Sequence, residues 1–230
     1  SGGLQRNIVQ CLEDFEIPLY LSHTITDIRG KARVEQVVVS QVDDQRRPIP
    51  GTEMTFDCDT VLLSVGLIPE NELTRDAGIV MDPRTNGALV YENRETSVPG
   101  IFACGNALHV HDLVDFVTAE SMAAGAAAAD YVQAGELDRE RTVQVTTNAH
   151  IGYTVPQRFR ADSDGVEFYF RVRRVFKESR IQVTCGDQVI ASFKREHMAP
   201  GEMETIKIPK ALLARIDGDT LHIAAEEVQA

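Results

Sequence analysis

An α/β segment followed by a C-terminal all-β sandwich is the fold class that this 230-residue sequence predicts. Three observations carry it. Residues 113–132, LVDFVTAESMAAGAAAADYV, form an alanine-rich stretch, and alanine has the best helix propensity. Ahead of it, short apolar or alternating runs are punctuated by glycine and proline, as strands are. Beyond the charged stretch AGELDRERT, 134–142, the pattern changes to short alternating segments separated by turn signals alone.

The elements follow in order. Leu4, Ile8, Val9, Cys11, Leu12 and Phe15 recur at helical spacing, so residues 4–15 read as an amphipathic helix. Pro18 follows it, and PLYL reads as a short buried strand. HTITDIRG and RVEQVVVSQVD, joined at Gly30-Lys31, have the arrangement of a hairpin. The polar run DDQRRPIPG, 43–51, is a loop. TEMTFDCD then leads into TVLLSVG, whose Val61-Leu62-Leu63 run is apolar on both faces, as a central strand of a covered sheet would be. Ile101-Phe102-Ala103-Cys104 is a further short apolar strand. Asp112 is placed to cap the following helix. Gly125 inside that helix costs about 1 kcal/mol relative to alanine, which predicts a close contact there. From residue 139 the segments RTVQVTT, GVEFYFRVRR, SRIQVTC, QVIASFKRE, METIKIP and DTLHIAAEEV supply the sandwich, expected to be stable by itself, and PKALLARI adds a helical turn.

Composition narrows the function classes. A net charge of −12 and a pI near 4.9 exclude nucleic acid and anionic membrane surfaces as partners. No apolar run is long enough to span a bilayer. Cys11, Cys58, Cys104 and Cys185 are scattered, with no C-x-x-C pair, so neither a zinc ribbon nor a thioredoxin-type redox pair is supported. Scattered thiols of this kind fit a cytoplasmic chain. The amino end has no initiator Met and no signal-peptide order, and the simplest reading is a piece cut from a longer chain.

Chemistry concentrates at ETSVPGIFACGNALHVHD, residues 95–112. In α/β folds, ligands bind beyond the carboxyl ends of strands, where a helix begins. Gly105 has no Cβ and lets the backbone approach a ligand. Asn106 adds a hydrogen-bonding side chain, and the helix beginning near Asp112, Leu113 and Val114 aims its positive end at an anion or electron-rich ring. His109 and His111 are loop residues that could lie near such a ligand. Two histidines without a third ligand nearby do not make a metal site.

The stretch TSVPGIFACGN, 96–106, resembles the second FAD motif of the two-dinucleotide-domain flavoproteins, the pyridine nucleotide-disulfide oxidoreductase-like enzymes. TVLLSVGLIPENEL, 60–73, resembles their Gly-x-x-Pro signature, here Gly66 to Pro69, where the chain returns from the NAD(P) domain to the FAD domain. The version CGNALHVHDLVDFVTAES is similar to the branch found beside glycerol-3-phosphate dehydrogenase-like flavoproteins. The resemblance covers roughly residues 1–135. It implies a partial two-dinucleotide-binding-domain fold: 1–70 as the last part of an NAD(P)-binding domain with a β-meander, 71–138 as the end of an FAD-binding domain, and 139–230 as the sandwich. It also implies FAD and NAD(P)H as cofactors, with Gly105, Asn106, His111, Asp112, Leu113, Val114, Gly66 and Pro69 at the cofactor, and a small-molecule or flavoprotein redox partner. A homo-oligomer stays open.

Two departures stand beside the resemblance. Asn106 replaces the family's aspartate, which keeps a hydrogen bond to the ribityl chain within reach and removes a charge. No Gly-x-Gly occurs among the sixteen glycines, although the family uses one such loop for each dinucleotide. The chain therefore reads as the carboxyl-terminal portion of a longer oxidoreductase, inactive alone. The competing reading is a non-catalytic docking or regulatory subunit, with a degenerate nucleotide-type fold and the β-sandwich as its contact surface.

Overall fold

The computed structural model describes residues 5–64, 66–136, 139 and 141–228, and the chain divides into two compact units that meet between Gly66 and Leu67. In the first unit α1 (Gln5–Cys11) gives way to a 3₁₀ turn, Glu13–Phe15. The helix expected over 4–15 thus ends four residues early, and Glu16 turns left-handed at φ 55°. Strands β1 (His23–Arg29), β2 (Gln36–Gln41) and β3 (Met54–Asp57) form an antiparallel sheet in that order, with Ile25 opposite Val39 and Val37 opposite Phe56. The hairpin expected around Gly30 is therefore present.

Two expected strands are not. Residues 18–21 and 61–64 take no strand pairing, and Leu62 and Leu63 are 90% and 66% exposed. A strand apolar on both faces needs neighbours at its edges and layers on both faces. No described residue supplies either to 61–64.

In the second unit a short α2 (Glu72–Asp76) opens a run of tight turns that ends at α3 (Val114–Ala134). The strand expected at 101–104 shrinks to one bridge, Phe102 to Glu95, because no second strand lies alongside it among the described residues. Gly125 faces open space, so the close contact expected there is absent.

Beyond α3 the alternating segments become β4 (Thr142–Thr147), β5 (Ile151–Val155), β6 (Arg158–Arg160), β7 (Gly165–Val172), β8 (Ser179–Cys185), β9 (Gln188–Arg195), β10 (Glu204–Pro209) and β11 (Thr220–Glu227), with α4 (Lys210–Leu213) before the last. They make a five-stranded sheet, β6-β4-β11-β8-β9, and a three-stranded one, β10-β7-β5. Alternation sets the inward faces: Val166, Phe168, Phe170 and Val172 from β7 meet Ile181 and Val183 from β8 in one core drawn wholly from residues 143–225.

This β-rich region is not separate from 67–136. Gln157, 4% exposed, accepts from Val90 N at 2.9 Å and donates to Asp82 at 3.1 Å. Arg160 pairs with Glu92 and Glu95 at 2.7 and 3.3 Å. Buried polar groups of this kind must find partners, and these find them across the two segments. The stretches expected as 71–138 and 139–230 consequently cluster as one compact unit. No described helix is long and apolar enough to cross a membrane.

Candidate functional site

The 105–112 turn is held at its base by Asn71. Its amide nitrogen donates to Ala107 O at 2.7 Å and Asn86 O at 2.9 Å, while Thr74 donates to its oxygen at 2.8 Å. Gly87 lies against the same turn, where an added Cβ would stand 1.9 Å from Leu108 O, so only glycine fits. Gly105 is buried with φ 68°, again a conformation that favours glycine. Asn106 projects into solvent, and its side-chain oxygen accepts from His111 N at 3.1 Å.

From there the chain alternates. His109 and His111 turn towards α3, where Glu120 receives them. The Nε2 atom of His109 is 3.1 Å from Oε1 of Glu120, and that of His111 is 2.9 Å from Oε2. Gly105 N donates to Oε2 at 2.8 Å and Arg94 Nε to Oε1 at 2.9 Å. One carboxylate thus takes four hydrogen bonds, and its side chain is 0% exposed. Val110 and Asp112 turn the other way, towards Arg171 on β7. The Arg171 guanidinium donates to Val110 O at 3.0 Å and forms an ion pair with Asp112, whose second oxygen accepts from Met203 N.

Asp112 is therefore not the helix cap that its position suggested. Leu113 stands at the cap position and makes no side-chain capping bond. The Arg171 guanidinium takes the carboxylate instead, since a charged donor holds it more strongly than neutral helix N–H groups do. Leu113 and Val114 remain 46% and 75% exposed at the free end of α3. Pro69 lines a cavity of about 200 Å³ together with His109, Val110, Tyr153 and Arg171. Gly66 lies in the first unit and is exposed.

The electrostatics follow from burial. Burial alone would raise the Glu120 carboxyl, but the hydrogen bonds from His109 and His111 and the charge of Arg94 outweigh it and hold the group well below the ordinary carboxylate range. Burial pushes His109 down, more than its bond to Glu120 pushes it up. With Nε2 of each ring turned to Glu120, both Nδ1 atoms are buried without a hydrogen-bond partner among the described residues.

His109, His111 and Glu120 together have the composition of a metal site, and Glu120 is the nearby third group that sequence reading missed. Arg94 argues against an ion: it already stands beside the carboxylate as counter-charge, and a second cation there would be repelled. Purified protein is expected to hold no stoichiometric zinc or iron by elemental analysis. One equivalent that disappears in His109→Ala would reverse this assignment.

Glu120, Arg94, Asn71 and Arg171 were all missed from the sequence. For Glu120 a signal exists: it stands four residues from both Phe116 and Ala124, on the face of α3 that packs inward, as one acid amid alanines.

Comparison with known proteins supplies the remaining findings. Residues 4–150 match the family model described as pyridine nucleotide-disulphide oxidoreductase. An NADH oxidase of Streptococcus pneumoniae strain R6 is 34% identical over 101 residues, covering 44% of this chain and 19% of the relative. An NADH oxidase of Methanocaldococcus jannaschii is 31% identical over 109 residues, covering 47% of this chain and 20% of that protein. The chain thus spans about a fifth of the length of the curated relatives it matches.

Proposed function

The chain belongs to the pyridine nucleotide-disulphide oxidoreductase family, and from that premise we propose that it is the carboxyl-terminal portion of a flavin-dependent enzyme that passes electrons between NAD(P)H and a small-molecule or protein acceptor. The observation that carries the reading is the junction 105–114: a left-handed glycine, an exposed Asn106 and the free amino end of a 21-residue helix, all in the family's order.

The residues present fit one end of FAD. Asn106 offers its side-chain amide to the ribityl chain, and the first turn of α3 offers N–H groups and a positive dipole end to the ring. Gly105 contributes closeness rather than a donor, since its N–H is committed to Glu120. The diphosphate end is another matter. No Gly-x-Gly is present to wrap it, so that contact falls to chain upstream of these residues. Bound flavin would supply hydride and single-electron chemistry, while these residues would orient the ring and set its electrostatic surroundings. With the domain boundaries expected above, the β-sandwich follows directly on the flavin segment. The finer placement beside glycerol-3-phosphate dehydrogenase-like flavoproteins rests on the wording of residues 104–121.

The direct test uses the same reading frame extended upstream. Mixed anaerobically with NADH, the yellow protein should bleach. A flavin that binds and is never reduced by NADH or NADPH would remove the oxidoreductase reading.

A further inference from the structure

The β-rich region 139–228 has a job at the junction that the family likeness does not assign. We propose that Arg171 is a positioning residue, through which this region holds the 109–112 loop in the shape the junction requires. The flavin reading above enters only where cofactor affinity is measured.

The geometry rests on alternation along His109-Val110-His111-Asp112. The odd positions are held from α3 by Glu120. The intervening positions are held from the other side. Arg171 donates to Val110 O and pairs with Asp112, and Met203 N donates to the same carboxylate. The third acceptor of the Arg171 guanidinium, Pro200 O at 3.4 Å, belongs to the turn that presents Met203. Tyr153 from β5 and Tyr169 from β7 lie edge-on to the histidines at 5.8–5.9 Å between ring centroids. The loop is thus gripped between a helix and two strands.

Arg171 is suited to the task. Its Nη2 donates both to Val110 O and to Asp112 while Nη1 reaches Pro200 O, a spread over two nitrogens in a rigid fork that the single nitrogen of an ammonium does not match. Its side chain is 19% exposed and that of Asp112 15%, so the pair is only lightly screened by water. Arg171 also meets Tyr153 on the neighbouring strand β5, so exchange along β5 and β7 is the control that separates a freed loop from a loosened sheet.

The experiment is hydrogen exchange on the 230-residue chain with Arg171→Ala, Arg171→Lys and Asp112→Asn, without FAD. Amides of residues 109–113 should exchange about tenfold faster in Arg171→Ala, with those of β7 and β8 unchanged. Arg171→Lys should recover part of the protection, since lysine restores the charge opposite Asp112 and loses the contact that Nη1 makes to Pro200 O. Faster exchange spread equally through β5, β7 and β10, or no change at 109–113, would overturn the proposal. A second arm titrates FAD into the upstream-extended protein, where Arg171→Ala should bind about tenfold more weakly. If the unmodified extended protein binds no FAD while the exchange result holds, the flavin reading fails and the clamp stands. Unchanged FAD affinity in Arg171→Ala would show that the grip has no bearing on the cofactor, and the positioning role would fall.

Discussion

Glu120→Ala is expected to lower the stability of the second unit more than any other single truncation in the junction. Removing the carboxylate strands Arg94, whose side chain is 4% exposed, as an unpaired buried cation. Breaking a buried pair in this way costs about 3–5 kcal/mol, against a total stability of about 5–15 kcal/mol for a domain. Gly105 N and the two histidine Nε2 groups also lose their acceptor, so the loss lies at the upper end. For a unit of this size the melting temperature should fall by about 10–20 °C. Replacing Arg94 and Glu120 together by Met and Leu should recover much of this, because no charge is then left alone. The carboxylate also makes stability depend on pH. Its folded-state pKa is depressed, so its contribution is present above the unfolded value of 4.5 and is lost as pH falls below it. His109 acts in the same direction. Its folded pKa lies below 6.5, so from there downward the unfolded chain takes up a proton that the folded chain refuses. Melts from neutral pH to about pH 3 should show the parent declining below 6.5 through His109 and more steeply below 4.5 through Glu120, with the second, steeper step absent from Glu120→Ala. A Glu120→Ala variant that melts within about 1 kcal/mol of the parent, or an unchanged pH slope below 4.5, would refute the account of the cluster.

What the sequence disclosed and what it concealed divide along a physical line. Local signals were legible. The alternation of HTITDIRG and RVEQVVVS carried the first hairpin, the alanine run carried α3, and the punctuation after residue 139 placed most of the strands. The turn at Gly105 was legible because glycine answers to its own backbone. Partnerships across long separations were not. Glu120 depends on Arg94, 26 residues away, and Asp112 on Arg171, 59 residues away. Nothing in a window around Asp112 distinguishes a helix cap from half of an ion pair, because the choice is made by a guanidinium on a strand not yet synthesised. Val61-Leu62-Leu63 shows the converse. Its apolar pattern describes an environment, a sheet with layers on both faces, and a segment takes up strand pairing only where such neighbours are present.

The 230-residue chain is expected to be colourless, and its upstream-extended form to carry FAD that depends on Asn106. The flavin diphosphate calls for a glycine-rich loop that this sequence lacks. Each charge-assisted hydrogen bond missing there is worth about 1.5–3 kcal/mol, so losing several leaves an affinity too weak to survive purification. The ribityl end is what remains. Gly105 N is held by Glu120 at 2.8 Å, which leaves the exposed Asn106 side chain as the polar group of the turn that can answer a hydroxyl. In the extended protein Asn106→Leu removes that group and sets apolar bulk in its place. It also removes the acceptor of His111 N, so the turn loosens as well. FAD binding should weaken tenfold or more, one decade being about 1.4 kcal/mol. Asn106→Asp separates the two effects. It keeps an acceptor for His111 N and for the ribityl chain and restores the family's residue, so affinity should stay within about threefold of the parent. Absorbance titrations of the short chain, the extended chain and both variants decide the matter. A yellow 230-residue chain, or an extended Asn106→Leu variant that binds FAD as tightly as its parent, would move the flavin away from this junction.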